Sequence, residues 1–110
     1  MGKTQKLTVN YAIATADNLF AAMKCDYKRA TVQVNLTGIV ATDVKLQLHQ
    51  SIDETNYAQV ADSEQTLAAG QTCHIWNLSG FPRGSSFKVK VLKGSAAAGT
   101  VDTILMLADE

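Results

Sequence analysis

The sequence is short of the residues that perform chemistry. It holds one proline, two cysteines, one tryptophan and two histidines in 110 residues. The histidines, His49 and His74, form no H-x-x-x-H or H-E-x-x-H pair, which excludes the common zinc patterns. Cys25 and Cys73 are far apart and lack metal-ligand spacing, so both are expected as buried free thiols. Charge of one sign is missing too: ten basic residues balance ten acidic ones, for a net charge of zero. That balance argues against the clustered Lys and Arg needed to neutralise nucleic-acid phosphates, and against a polybasic membrane anchor. No apolar run approaches the ~20 residues of a membrane-spanning helix. The opening Met-Gly-Lys-Thr-Gln-Lys has neither an apolar stretch nor a small-residue cleavage site, so no signal peptide is expected. Heptads, repeats, linkers and low-complexity runs are also missing, so residues 1–110 are expected to form a single domain.

What is there is alternation. In Ala30-Thr-Val-Gln-Val-Asn-Leu-Thr37, Ala30, Val32, Val34 and Leu36 fall on one side and polar residues on the other. Val44-Lys-Leu-Gln-Leu-His49 and Phe87-Lys-Val-Lys-Val91 repeat the pattern. A period of two is that of a strand with one dry and one wet face. Leu7, Val9 and Tyr11 suggest an opening strand, and Tyr57-Ala-Gln-Val60 a short one. Turn residues at Gly38, Asp53-Glu54, Ala69-Gly70, Gly80 to Gly84 and Gly94-Ser95 punctuate these runs. The expected fold is all-β: a two-layer antiparallel sandwich, jelly-roll-like or immunoglobulin-like, of about 7–8 strands. Ile13, Ala16, Phe20 and Met23 also fit helical spacing; the reading adopted is a loop followed by a strand from about Leu19 to Lys24.

Two segments are apolar on both faces. Cys73 and Ile75 alternate with His74, Trp76 and Leu78. Near the C-terminus, Val101, Leu105 and Leu107 are expected on one face, with Ile104 and Met106 on the other. A strand apolar on both sides is covered by a second layer or by a partner. Ile104 and Met106 are therefore expected to face outward and form the subunit interface.

No spacing assembles a nucleophile, a base and an orienting group, so no catalytic residue, cofactor or metal is expected. Asp53 and Glu54 read as solvated turn residues. Gly80-Phe-Pro-Arg-Gly84 is bounded by glycines but leads into a strand, without the helix N-terminus of a phosphate loop. Tyr57 and Trp76 are the candidates for stacking on a ligand; Trp76 reads first as a core or inter-sheet tryptophan, and Tyr57 equally as a core plug or a surface contact. Lys88, Lys90 and Lys93 form a row that reads as an edge-strand guard.

Taken in order, several segments carry a resemblance. They are Asp26 to Gly38, Val44 to Val60, Thr66 to Gly80, Ser86 to Val91 and Gly99 to Leu107. The series resembles the small β-sandwich virion proteins of tailed bacteriophages, which decorate heads or form part of the head-tail apparatus. The resemblance implies a non-enzymatic structural role in the virion. It further implies assembly in the host cytoplasm, other virion proteins as partners, self-association, and no nucleic acid or membrane. The hairpin Ser51-Ile-Asp-Glu-Thr-Asn-Tyr57 also looks like the tip hairpin of discoidin-type sandwiches, with Ile52 and Glu54 where those motifs place Asn and Gly. That second likeness implies, as an alternative, a carbohydrate- or receptor-binding module using Tyr57 and Trp76.

Overall fold

A computed structural model describes residues 3–12, 18–19, 23–39, 41–68, 70–96 and 98–109. The described residues form strands and turns with no helix. The strands are β1 (Lys3–Ala12), β2 (Asn18–Leu19), β3 (Met23–Cys25), β4 (Arg29–Thr37), β5 (Lys45–Ser51), β6 (Ala58–Gln59), β7 (Gln65–Thr66), β8 (Cys73–Ser79), β9 (Ser85–Leu92) and β10 (Thr100–Asp109). Between residues 13 and 22 only Asn18 and Leu19 are described; they and Met23–Cys25 are extended, and the expected loop lies outside the described residues.

Pairing is nested. β1 pairs β10, β2 and β3 pair β9 in succession, β4 pairs β8, and β5 pairs β6 and β7, all antiparallel. The chain is thus one long ribbon doubled back at the β5–β6 turn. Rolled up, it places successive pairs in alternate sheets, ordered β1-β10-β4-β8 and β2-β9-β5-β6. This is jelly-roll connectivity, which decides between the two sandwich types expected. Counting β2 with β3 and β6 with β7 as interrupted strands accounts for the short segments.

The core lies between the sheets. From the first come Val32, Val34, Leu36, Trp76, Val101, Ile104 and Met106; from the second, Met23, Cys25, Leu46, Leu48, Phe87, Val89 and Val91. The burial of β4 alternates along the strand, and that of β5 as far as His49, as their sequence pattern requires. Leu67 and Ile39 close the ends from loops. Gly94 illustrates what a turn here demands: its φ is +56°, and a Cβ would sit 2.6 Å from Asp43. That proximity lets the Asp43 carboxylate accept from the Ser95 amide at 2.9 Å and the Ser95 hydroxyl at 2.8 Å.

Lys88 and Lys90 do not guard an edge. Their strand, β9, is central, paired to β5 on one side and to β2 and β3 on the other. Both lysines line the outer face of that sheet beside Lys45, Gln47 and His49.

Candidate functional site

Ile104 and Met106 are core residues, both fully buried, and not an outward interface. The cause is a β-bulge. Val101 pairs with Leu36 and Thr103 with Asn35, so Asp102 is an extra residue on β10. One inserted residue reverses the facing of everything beyond it. Val101 points inward before the bulge; Ile104, Met106 and Ala108 point inward after it. Asp102 is fixed by the Thr37 hydroxyl, and by the Thr100 hydroxyl at 2.7 Å, and these two donors hold its carboxyl below the usual carboxylate range. Leu105 and Leu107 therefore form the outer apolar pair, Leu107 being 47% exposed.

Register builds the outer face of this sheet row by row. Leu107, Thr31 and Asn77 make one row, Leu105, Gln33 and Ile75 the next, and Thr103, Asn35 and Cys73 a third. Ile75 is 46% exposed. Across β10, β4 and β8 these three rows contain no charged side chain; the middle row continues to Lys6 on β1, and Arg29 lies in the row beyond Thr31. Their polar groups bond sideways within the face: Thr31 Oγ1 donates to Asn77 Oδ1 at 3.0 Å, Gln33 Nε2 to Asn35 Oδ1 at 2.7 Å, and Asn35 Nδ2 to Thr103 Oγ1 at 2.7 Å. A shallow depression of about 390 Å³ opens among Arg29, Thr31, Asn77, Ser79 and Leu107. A second, of about 600 Å³, lies at the Gly80–Gly84 turn beside Lys28, Arg29, Phe81 and Arg83. The opposite face of the sandwich carries Lys45, Lys88 and Lys90, all half-buried, across its middle.

Trp76 is a core tryptophan. Its indole is buried and Nε1 donates to the Ser63 carbonyl at 2.8 Å, so neither ring face is open to a ligand. Tyr57 is half-buried, and the Lys88 ammonium sits 4.3 Å from its ring centroid, occupying one face. With Trp76 in the core and one face of Tyr57 covered by Lys88, the two aromatics form no common platform. Asp53 is the hub of its turn: Oδ1 accepts from the Thr55 amide at 2.9 Å, the Asn56 amide at 2.8 Å and the Ser51 hydroxyl at 2.7 Å. Those donors, the Asn56 amide foremost, hold its carboxyl far below the usual range. Glu54 adopts φ +60°, the left-handed conformation that favours glycine, with its amide donating to Ser51 Oγ at 3.0 Å. Among the described residues no group of His, Cys, Asp and Glu could hold a metal ion. Both thiols are free, but only Cys25 is buried, which raises its pKa; Cys73 is exposed on the outer face, against the expectation.

His74 shares the inner side of β8 with Trp76, the rings edge to face with centroids 4.7 Å apart. Its Nε2 is buried without a hydrogen-bond partner among the described residues. Burial pushes the His74 imidazole below 6.5, and burial followed by the charge of Lys90 does the same for His49. The unfolded chain therefore binds more protons than the folded one just below that pH. Stability is full above 6.5 and is lost as pH falls through the lower folded values. Asp43, Asp53 and Asp102, all lowered, add a separate loss below 3.8. The urea midpoint is expected to be lower at about pH 5 than at about pH 7.5, and His74→Phe to shrink that difference. An unchanged midpoint would show that both imidazoles are solvated in the folded protein.

The outer face could not be read from sequence because Asp102 looks like any polar strand residue. The available signal was phase: Ala108, Met106 and Ile104 keep period two, and Val101 falls one residue out of step. Compared with protein-family models, the chain matches none, and a search of curated proteins finds no match.

Proposed function

We propose that the chain is a non-enzymatic structural protein of a tailed-bacteriophage virion, a head decoration or head-tail component, that works by packing against neighbouring virion proteins and against itself. The observation that carries this reading is the middle of the outer face of β10, β4 and β8, three rows without charge between Arg29 at one end and Lys6 on β1, with Leu105, Leu107 and Ile75 set among amide and hydroxyl side chains. Depletion of charge, more than apolarity as such, distinguishes the centre of a protein interface from ordinary surface. The contrast within one molecule supports it: the other sheet carries Lys45, Lys88 and Lys90 across the middle of its outer face. The chain-wide resemblance to phage β-sandwich proteins supplies the setting. Jelly-roll connectivity agrees with that setting, although a fold by itself specifies no activity.

The test is composition. Mass spectrometry of virions purified from the phage or prophage that encodes the chain is expected to find it as a regular component. Leu107→Asp is expected to fold normally yet to be incorporated about tenfold less, the consequence of ~1.4 kcal/mol lost at each contact. A folded wild-type chain missing from purified particles would retire the proposal.

A further inference from the structure

We propose that β8 is a self-pairing edge: β8 of one copy adds antiparallel to β8 of a second copy, joining two four-stranded sheets into one. This rests on the self-association part of the function proposed above and names its surface and partner.

β8 ends the order β1-β10-β4-β8. The phase of its backbone follows from one bond, the Leu36 amide to the Thr72 carbonyl at 2.8 Å. Hydrogen-bonded pairs in an antiparallel ladder recur at every second residue. His74, Trp76 and Leu78 therefore turn their amides and carbonyls toward β4. Cys73, Ile75, Asn77 and Ser79 turn theirs to the open side. Among the described residues one of these groups is engaged there: the Cys73 carbonyl, which accepts from Gln71 Nε2 at 2.9 Å and keeps a second lone pair.

Sheet edges are ordinarily protected from pairing by charge, proline, bulges or brevity. β8 has none of these: Cys-His-Ile-Trp-Asn-Leu-Ser carries no charged residue and no proline, and its ladder with β4 runs without a register shift. The other edge of the sheet, β1, carries Lys3 and Lys6 and an irregularity between Thr8 and Tyr11. The edges of the second sheet are segments of two or three residues. β8 is the one described edge that is both long and unprotected.

A second copy fits this edge because the strand is complementary to itself. Full antiparallel overlap sets Trp76 on the two-fold axis, with Ile75 opposite Asn77 and Cys73 opposite Ser79 of the other copy. Each of those pairs exchanges backbone hydrogen bonds, and none brings like charges together. The net charge of zero removes repulsion between copies. Ile75 loses water against its neighbour, and the three uncharged rows of the outer face become continuous across the pair.

Sedimentation equilibrium, with circular dichroism as the check on folding, tests this. Wild type is expected as a dimer. Ile75→Pro removes an outward amide without touching the β4 ladder, a position where an edge strand accepts proline; it is expected as a folded monomer. Should that variant fail to fold, two charge variants carry the test. Ile75→Lys with Asn77→Lys places like charges opposite each other and is expected to be monomeric. Ile75→Lys with Asn77→Glu places opposite charges in the same register and is expected to restore the dimer. A dimer unaffected by folded Ile75→Pro or by the two-lysine variant would overturn β8 pairing while leaving self-association through another face. A wild-type monomer at every concentration would overturn both, and virion composition would then be the separate measure of the structural role.

Discussion

Ile104→Asp is expected to abolish the folded state. Ile104 is fully buried between the sheets, opposite Val34 on β4 and beside the core positions Val32 and Met106. The substitution deletes a packed aliphatic side chain, which alone costs about 2–5 kcal/mol. It also places a carboxyl where no donor is available, so the group either stays neutral, with its pKa driven up, or carries an unpaired charge. The combined loss exceeds about 4 kcal/mol, close to the whole stability of a small domain of about 5–15 kcal/mol. Urea unfolding followed by circular dichroism should show a chain already unfolded in buffer, or nearly so. Leu107→Asp, three residues on and facing out, should stay within about 0.5 kcal/mol of wild type. The pair of results tests the bulge at Asp102 directly. Without the bulge the two outcomes would exchange.

Trp76→Ala is the second large effect, at about 3–5 kcal/mol. Trp76 does more than fill space between the sheets. Its Nε1 holds the Ser63 carbonyl, while Ser63 Oγ accepts from the Leu48 amide at 3.2 Å and donates to the Leu48 carbonyl at 3.1 Å. Leu48 belongs to β5 in the other sheet, so this chain of bonds ties the β6–β7 turn to both layers. Removing the indole leaves a buried carbonyl unpaired in addition to a cavity. Trp76→Phe keeps most of the volume and loses the bond, so its cost should fall near 1–3 kcal/mol, that of one unsatisfied buried group. Chemical denaturation of wild type, Trp76→Phe and Trp76→Ala should give that order. A Trp76→Ala protein as stable as wild type would mean that the indole is not a core side chain, and would reopen Tyr57 and Trp76 as a stacking pair.

Much of the fold was legible because a strand's alternation is a local property. β4, β5 and β9 bury the residues their patterns nominate, and the glycine and acidic turns fall between strands. The polar tip at Asp53 was equally readable, since short-range hydrogen bonds from Ser51, Thr55 and Asn56 use only neighbours in sequence. Facing is another matter where a strand is apolar on both sides. Val101 to Ala108 offers two self-consistent sets, and the choice depends on the phase in which β10 pairs with β4. The exposed Cys73 and the central position of Lys88 and Lys90 were hidden for the same reason, because an edge is defined by which strand lies alongside.

Composition and period alone thus determined the all-β class, the single layer pair and most of the core, since each follows from where one side chain points relative to the next. The tertiary structure alone decided the jelly-roll order, the identity of the outer apolar residues and which strand is left open. Those depend on pairing between segments far apart in the chain, where a single inserted residue reverses every side chain that follows.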